Sequence, residues 1–246
     1  MTHRGIVFDL DGTLYFGEKA ADEARASLRQ LDAAGFDLYF LSNNSGKSRR
    51  ELFRRLQTLD FPAEESRVYN AAYAVARTLS KSGIQRVLLL GSEGLRTELN
   101  ARGILCVDEG ACEAVVLGWT RDFTYAHIAK AFDAVTRHGA RIVAANVDRN
   151  FPIGEGRMLP GANTVVAALL GSLDPDIPCE VVGKPEPHML RMIAEDHGLK
   201  AEELLMVGDR EESDGEAARR FGCSALIVGD RGLTLRETQI IMESYR

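Results

Sequence analysis

Short apolar runs alternate with amphipathic stretches of helical length along the whole chain of 246 residues. Short apolar runs are typical of buried strands, and apolar residues spaced three or four apart are typical of helices. The predicted strands are 6–8, 36–41, 87–90, 115–117, 142–145, 204–207 and 225–228. The predicted helices are 22–34, 48–59, 70–82, a stretch ending near 102, 125–138, 162–170, 189–196 and 213–221. This alternation predicts an α/β fold with a doubly wound parallel sheet, covered by helices on both faces.

Two stretches rich in glycine and proline interrupt the alternation, at residues 150–161 and 171–178. The second is typical of a connection between domains. We therefore expect the chain to leave one domain near Ser82 and to return to it near Cys179. This predicts a core made of residues 1–82 and 179–246, with an inserted α/β domain at residues 83–178.

The charge balance argues against one broad class of function. The 30 lysine and arginine residues are outnumbered by 36 acidic residues, which gives a formal net charge of −6. A protein that binds nucleic acid normally has a basic excess or a basic stripe, so we expect no nucleic-acid partner. A small anionic substrate remains compatible with this balance, because a few local cations can hold one.

The sequence shows no pattern typical of export or membrane insertion. No apolar run approaches the roughly 18 residues that span a bilayer, and Asp9 and Asp11 interrupt the apolar run nearest the start. Four cysteines without a CxxC spacing are expected to be reduced core residues: Cys106, Cys112, Cys179 and Cys223. We therefore expect a cytoplasmic protein without a membrane partner.

Two acidic residues follow the first predicted strand. Asp9 and Asp11 are separated by one residue, so both can face one side of the strand end, and Gly12 allows a sharp turn close to a ligand. Close carboxylates repel each other unless a cation or a shared proton relieves them, and Mg²⁺ prefers oxygen ligands of this kind. The alternative is a polar turn that binds nothing.

A second predicted strand, 204–207, also ends in an acid. Gly208 and Asp209 follow it directly, and Asp214 comes five residues later. Taken alone, Asp214 could instead stabilise the N-terminal end of the next helix by interacting with the helix dipole. Because ligands bind beyond the carboxyl ends of strands in open α/β sheets, acids at two strand ends together predict a divalent metal site.

Two further motifs supply groups suited to phosphate. The Ser-Asn-Asn sequence that begins at Ser42 follows the strand 36–41 with a hydroxyl and backbone N–H groups. These groups can bind phosphate oxygens, or they can form an ordinary loop that caps the next helix. Lys184 precedes Pro185, which keeps the lysine backbone out of the helical region. A solvated lysine is the alternative here.

The Ser-Gly-Lys-Ser sequence at residues 45–48 has the ending of a phosphate-binding P-loop. The complete motif needs a glycine four residues before Ser45, and this chain has Leu41 there. The loop could not wrap a triphosphate in the usual way, so a nucleoside triphosphatase is disfavoured.

In this order, the four motifs resemble those of the haloacid dehalogenase (HAD) superfamily. Its DxDGT motif is matched by residues 9–13, its strand-end Ser or Thr by Ser42, its lysine by Lys184 and its GDxxxxD motif by residues 208–214. Further stretches are similar to the NagD-like branch, subfamily IIA: 42–44, 116–118, 121–125, 144–148, 160–161 and 183–185. The resemblance covers nearly the whole chain.

This resemblance implies a Mg²⁺-dependent phosphatase with a Rossmann-like core and a cap domain at residues 83–178. The branch includes p-nitrophenyl phosphatases, pyridoxal phosphate phosphatases, phosphoglycolate phosphatases and bacterial nucleotide monophosphatases. The implied substrate is therefore a small phosphorylated metabolite such as a nucleoside monophosphate or a sugar phosphate. The resemblance also allows a homodimer formed through the cap.

The family pattern implies a role for each matched catalytic residue. Asp9 is the implied nucleophile, which forms an aspartyl-phosphate. Asp11 is the implied acid that protonates the leaving group and then activates water. Ser42 and the backbone of Asn43 are implied to hold the phosphoryl oxygens. Lys184 is implied to neutralise charge on Asp9 and on the transferring group.

The metal site and the cap are implied in the same way. Mg²⁺ is implied to bind Asp9, Asp209, Asp214 and the backbone carbonyl of Asp11. The candidates for substrate recognition in the cap are Asn146, Asp148, Arg149 and Arg157. Trp119 is a candidate for stacking on a substrate ring, although a core or interface position is the more common use of tryptophan.

Three other functions share part of this pattern. A receiver-type phosphoacceptor domain has similar residues around Mg²⁺, but it lacks an insertion of cap size between Ser42 and Lys184. A haloacid dehalogenase shares the Asp9 nucleophile but does not need Asp11 or the two acids of the fourth motif. A non-catalytic sensor of sugar or nucleotide phosphates could tolerate the loss of Asp9 or Asp11, and both are present.

Overall fold

A computed structural model describes residues 5–154 and 157–244. Three regions discussed above fall partly on residues 1–4, 155–156 and 245–246, which lie outside these ranges. They are the first residues, considered for an export signal, the stretch 150–161 rich in glycine and proline, and the end of the predicted core segment 179–246. In chain order, the strands are β1 (Gly5–Asp9), β2 (Tyr15–Phe16), β3 (Lys19–Ala20), β4 (Asp37–Ser42), β5 (Val68–Asn70), β6 (Arg86–Leu90), β7 (Leu105–Val107), β8 (Ala114–Leu117), β9 (Arg141–Ala144), β10 (Asn150–Gly154), β11 (Arg157–Pro160), β12 (Cys179–Val181), β13 (Leu204–Gly208) and β14 (Ser224–Ile227).

The α-helices are α1 (Ala24–Ala33), α2 (Arg49–Thr58), α3 (Ala71–Lys81), α4 (Glu93–Asn100), α5 (Tyr125–His138), α6 (Asn163–Leu170), α7 (His188–His197), α8 (Glu216–Phe221) and α9 (Leu235–Ser244). The predicted helix 213–221 is divided, because a π-helical turn at Glu211–Gly215 precedes α8. Within the described residues, every helix is too short or too polar to cross a bilayer.

Two parallel five-stranded sheets form the centre of the molecule. The first has the order β14-β13-β1-β4-β5 and the second has the order β12-β9-β8-β6-β7. Parallel strands with helical crossovers require helices on the sheet faces, and both sheets have buried apolar residues on both faces. The predicted α/β fold is therefore confirmed.

Side chains along β1 alternate between the two faces of the sheet, so this one strand contributes to two buried clusters. Ile6 and Phe8 belong to a buried cluster with residues of α1, α2 and α9, whereas Val7 belongs to a second cluster with residues of α3, α7 and α8. This second cluster also contains Val87, Val116 and residues of α4, so the two sheets share one core. A third cluster lies between the other face of the second sheet and helices α5 and α6.

Helix α3 lies at the centre of the shared core. Alanine occupies four of its buried positions, and these small side chains allow close approach of α4 and α7. Asn70 begins the helix, since its side chain accepts a hydrogen bond from the Tyr73 N–H at 2.9 Å.

The edge strand of the second sheet, β12, begins at Cys179, the residue at which we expected the chain to return to the core domain. Cys179–Val181 pairs in parallel with β9, although residue 179 was expected to begin the second core segment. The chain therefore leaves the second sheet after Val181. The four cysteines carry no disulfide bond; Cys112 is buried and the other three are half-buried.

Candidate active site

The carboxyl ends of three neighbouring strands bring the motifs together. Asp9 ends β1, Ser42 ends β4 and Gly208 ends β13, and β1 pairs in parallel with both of the other strands. Lys184 comes from the segment that follows β12 of the second sheet. The predicted meeting of these motifs at one sheet edge is thus what the geometry shows.

Three carboxylates form a group that could hold a metal ion. One oxygen each of Asp9, Asp209 and Asp214 lie within 4.8 Å of one another. Glycine at positions 12 and 208 leaves room for two of these carboxylates. A Cβ at Gly208 would lie 2.3 Å from the Asp214 side chain, and one at Gly12 would lie 2.3 Å from that of Asp209. Three hard oxygen ligands, two of them from buried residues and one from the half-buried Asp209, fit Mg²⁺.

Lys184 lies against two of these acids. Its Nζ donates to Asp9 and, at 2.6 Å, to Asp214, and all three residues are buried. Burial alone lowers the pKa of Lys184, but the carboxylates of Asp214 and Asp9 overcome this effect and raise it. Burial raises the pKa of Asp9, with opposition from Lys184. Arg210 lies 3.8 Å from Asp209, so two cations face three carboxylates, and the remaining negative charge favours a further cation.

Asp11 has separate surroundings. Its carboxylate is outside the group of three acids and accepts a hydrogen bond from the Tyr15 hydroxyl at 3.3 Å. The Arg55 guanidinium lies 4.5 Å from the centre of the Tyr15 ring. Burial raises the pKa of Asp11, and Arg55 opposes this. Tyr15 and Arg55 were not predicted; the only signal was the position of Tyr15 four residues after Asp11.

The side chain of Asn43 connects the two sheets. It accepts from the Lys184 N–H at 2.8 Å and donates to the Lys184 carbonyl at 2.9 Å and to both oxygens of Asp148, at 3.1 and 3.2 Å. The Asn43 N–H, which the family pattern assigns to phosphate, is not used by these bonds. Burial raises the pKa of Asp148, with opposition from Asn43.

Asn146, a candidate for substrate recognition, lies on the cavity wall and is hydrogen-bonded within the protein. Its amide donates to the Asn43 carbonyl at 2.6 Å, and its oxygen accepts from the Asp148 N–H at 3.0 Å. The residue is buried, with 3 % of its surface exposed. Both ends of this side chain are therefore engaged within the protein, where they hold the segment that carries Asp148.

A cavity of about 410 Å³ brings the site residues together, a size common for small-molecule sites. Its wall contains the predicted catalytic and metal-binding residues and two of the four cap candidates: Asp9, Asp11, Ser42, Asn43, Asn146, Asp148, Lys184, Asp209 and Asp214. Arg149 and Arg157, the other cap candidates, are exposed and do not line it. Lys47, Arg121 and Phe151 line it without having been predicted.

Trp119 lies on the cavity wall in a fixed position. Its backbone N–H donates to the Ser45 hydroxyl at 3.0 Å, and its indole N–H donates to the Pro160 carbonyl at 3.2 Å. Its ring meets the edge of Phe151, with the ring centres 5.5 Å apart. This candidate for stacking thus lies at the cavity, and its indole N–H is satisfied by the protein.

Comparison with known proteins agrees with this geometry. Residues 6–105 match a family model described as haloacid dehalogenase-like hydrolase, and residues 181–239 match one described as HAD-hydrolase-like. Mouse chronophin is 32% identical over 247 residues, which cover 96% of this chain and 84% of chronophin.

Two solved structures have the same fold over most of the chain. The p-nitrophenyl phosphatase from Archaeoglobus fulgidus is 32% identical with a TM-score of 0.85, covering 99% of this chain and 93% of that one. Glycerol phosphate phosphatase Rv1692 from Mycobacterium tuberculosis, in complex with magnesium, is 32% identical with a TM-score of 0.81, covering 92% of this chain and 67% of that one. This chain therefore belongs to the haloacid dehalogenase superfamily and is a phosphatase of its NagD-like branch, subfamily IIA.

Proposed function

We propose that this phosphatase hydrolyses small phosphomonoesters with the help of Mg²⁺ and through an aspartyl-phosphate on Asp9. The position of the Asp9 carboxylate carries the proposal. It lies on the cavity wall, in hydrogen-bond contact with Lys184 and in one group with Asp209 and Asp214. A carboxylate so placed can meet an incoming phosphoryl group beside charges that stabilise the transition state.

Asp9, Asp209 and Asp214 would hold the metal, together with the backbone carbonyl of Asp11. The spacing of the three carboxylates, their oxygen chemistry and their excess over the two nearby cations, Lys184 and Arg210, support this assignment. When bound, Mg²⁺ offsets the repulsion between Asp9 and the phosphate and polarises the phosphoryl oxygens. The related glycerol phosphate phosphatase Rv1692 has structures in complex with magnesium and with calcium, which supports a divalent ion.

The reaction that we propose has two steps. In the first, an Asp9 oxygen attacks phosphorus, the bond to the leaving oxygen breaks, and Asp11 gives that oxygen a proton. In the second, Asp11 removes a proton from water, the water attacks phosphorus, and Asp9 is released with inorganic phosphate. Ser42 and the Asn43 N–H hold the phosphoryl oxygens, and Lys184 stabilises negative charge on Asp9 and the phosphoryl group.

The second sheet and its helices act in this proposal as the cap that shelters the site. Trp119, Asp148 and Phe151 bring parts of this unit to the cavity wall, opposite residues from the first sheet. Exclusion of water strengthens the electrostatic interactions at the phosphoryl group. The boundaries that support a cap domain best are residue 83 and Val181, where the chain leaves the second sheet.

Phosphate release from purified protein tests this function. The substrates are p-nitrophenyl phosphate, glycerol phosphate, nucleoside monophosphates, phosphoglycolate and pyridoxal phosphate, with Mg²⁺ or with EDTA. We expect release that requires Mg²⁺ and falls at least about a thousandfold in Asp9→Asn, because the nucleophile is lost. Asp32→Asn changes an exposed acid of α1 and is the matched control; we expect it to release phosphate at the rate of the unsubstituted protein. Release that survives Asp9→Asn would contradict the assignment.

A further inference from the structure

Two cations on the cavity wall, Lys47 and Arg121, have no carboxylate partner among the residues that the structure describes. The Lys47 ammonium makes neither a hydrogen bond nor an ion pair there, and the Arg121 guanidinium makes one contact, 5.6 Å above the Trp119 ring. The other cations of the wall are engaged. Lys184 binds Asp9 and Asp214, and Arg210 lies 3.8 Å from Asp209.

The backbone of Lys47 is fixed on several sides. Its N–H donates to the Asn44 side chain at 3.0 Å, and its carbonyl accepts from the Asn70 side chain at 2.7 Å. Gly94, in the first turn of α4, lies so close that a Cβ there would be 2.4 Å from the Lys47 carbonyl carbon. The ammonium is therefore carried by a rigid loop, held between the helix that follows β5 and a helix of the second sheet.

Arg121 lies in a segment that is held through Trp119. It follows Trp119 by two residues, and Trp119 is held by hydrogen bonds to Ser45 and Pro160. Ser45 also accepts, through its carbonyl, a hydrogen bond from the Ser92 hydroxyl at 2.9 Å. The loop of Lys47 and the segment of Arg121 are thus joined directly. Both cations lie on one cavity, and neither forms an ion pair with a described residue.

We propose that Lys47 and Arg121 bind a second anionic oxygen group, carried by the leaving group of the substrate. The preferred substrates are then phosphomonoesters with an additional carboxylate or phosphate. This inference rests on the proposed phosphatase function of the same cavity. It follows from the volume of the cavity, which holds more than one phosphoryl group, and from the commitment of the other wall cations to protein acids.

A competing explanation is that the two cations only attract the phosphate that reacts. The wall carries five aspartates, so an anionic substrate would gain from any positive charge nearby: Asp9, Asp11, Asp148, Asp209 and Asp214. The two explanations differ in what they predict for matched substrates. General attraction acts on every phosphomonoester, whereas a contact with the leaving group acts only where that group carries a charge.

Two matched pairs of substrates separate these explanations. Phenyl phosphate is compared with 4-carboxyphenyl phosphate, and propyl phosphate with propane-1,3-diol bisphosphate, each with Mg²⁺. We expect kcat/KM to be about 10- to 100-fold higher for the charged member of at least one pair, as for one or two charge-assisted hydrogen bonds. The pair that shows the preference distinguishes a carboxylate from a phosphate.

The variants Lys47→Met and Arg121→Met should each lower this preference by about tenfold, and the double variant should abolish it. Lys47→Met keeps the backbone hydrogen bonds of the loop, and circular dichroism checks that both variants fold. Lys130→Met, which removes a lysine of α5 outside the cavity wall, is the matched control and should keep the preference.

Each outcome decides the proposal. Equal kcat/KM within both pairs, or an equal loss for charged and uncharged substrates in the variants, overturns the inference and leaves the phosphatase function intact. Absence of hydrolysis by the unsubstituted protein, for these four substrates and for the panel of phosphomonoesters above, overturns both the inference and the proposed function. A preference that is lost in the variants and kept in Lys130→Met supports the second anion site.

Discussion

At the residue scale, the two acids of the first motif have different partners although one residue separates them. Asp9 contacts Lys184 and belongs to the group of three carboxylates. Asp11 accepts a hydrogen bond from Tyr15, whose ring lies under the Arg55 guanidinium, and remains outside the group. Two carboxyl groups with different surroundings can take different parts in one reaction, a nucleophile and a proton donor.

This division of roles predicts how Asp11→Asn depends on the leaving group. The value of kcat/KM reports the first step, in which Asp11 protonates the leaving oxygen. An alkoxide needs that proton, whereas p-nitrophenolate leaves without it. We expect Asp11→Asn to lower kcat/KM for propyl phosphate by about 100-fold or more and that for p-nitrophenyl phosphate much less. Equal losses for the two substrates, measured by phosphate release, would contradict the role of Asp11 as the acid.

At the element scale, a polar cluster joins β5, α3 and α7. Asp196, near the end of α7, accepts hydrogen bonds from the Tyr69 hydroxyl at 2.8 Å and from Arg77 at 2.6 Å. Burial raises the pKa of Asp196, but the bonds from Arg77 and Tyr69 overcome this effect and lower it. The cluster therefore fastens two helices of the shared core to the edge strand of the first sheet.

The lowered pKa predicts a pH dependence of stability. The pKa of Asp196 is lower in the folded chain than in the unfolded chain, so its contribution is complete above the unfolded value, about 3.9, and is lost as pH falls through the folded value. We expect Asp196→Asn to lower the free energy of unfolding at pH 7, and the difference from the original chain to shrink below about pH 4. Urea unfolding at pH 7 and pH 3 measures this, with Asp32→Asn as control. A difference that does not change with pH would contradict it.

The sequence predicts the long elements well and the short ones poorly. The amphipathic pattern at 125–138 predicts α5 with its observed ends, because Gly139 in the left-handed conformation stops the helix. The strands β5, β7 and β12 have three residues each, too few for a period to show. Helix α9 was not predicted from its motif-free segment, and it packs on α1 through Ile241.

The site also contains residues that could be predicted from the sequence and residues that could not. Residues at strand ends could be placed from sequence, because parallel strands bring their carboxyl ends to one edge. Lys47 and Arg121 could not, since nothing local shows which loop of the second sheet meets the loop after β4. Asn43 was predicted for its backbone, whereas its side chain is what joins Lys184 to Asp148.

At the scale of the whole molecule, the two sheets share one buried cluster and meet again at the cavity. Lys184 and Arg210 only partly offset the repulsion among the three carboxylates of the metal group. A divalent ion that binds the folded chain and not the unfolded one must therefore stabilise the fold.

This coupling predicts a thermal shift. Mg²⁺ at about 100 times its dissociation constant adds about 2.7 kcal/mol, which raises the Tm of a chain of this length by roughly 5–10 °C. We expect Asp209→Asn to lose most of this shift, because one of three ligands is gone, and Asp32→Asn to keep it. Scanning calorimetry with Mg²⁺ and with EDTA provides the measurement. The same shift in Asp209→Asn as in the original chain would show that the ion binds elsewhere.

The most direct test of the account is chemical trapping of the phosphorylated enzyme. Protein mixed with substrate and Mg²⁺ is quenched in acid and treated with borohydride, which reduces an aspartyl-phosphate to homoserine. We expect peptide mass spectrometry to find homoserine at position 9 and unchanged aspartate at positions 11, 209 and 214, and to find none without substrate. Homoserine at another aspartate, or none at all during active turnover, would contradict Asp9 as the nucleophile.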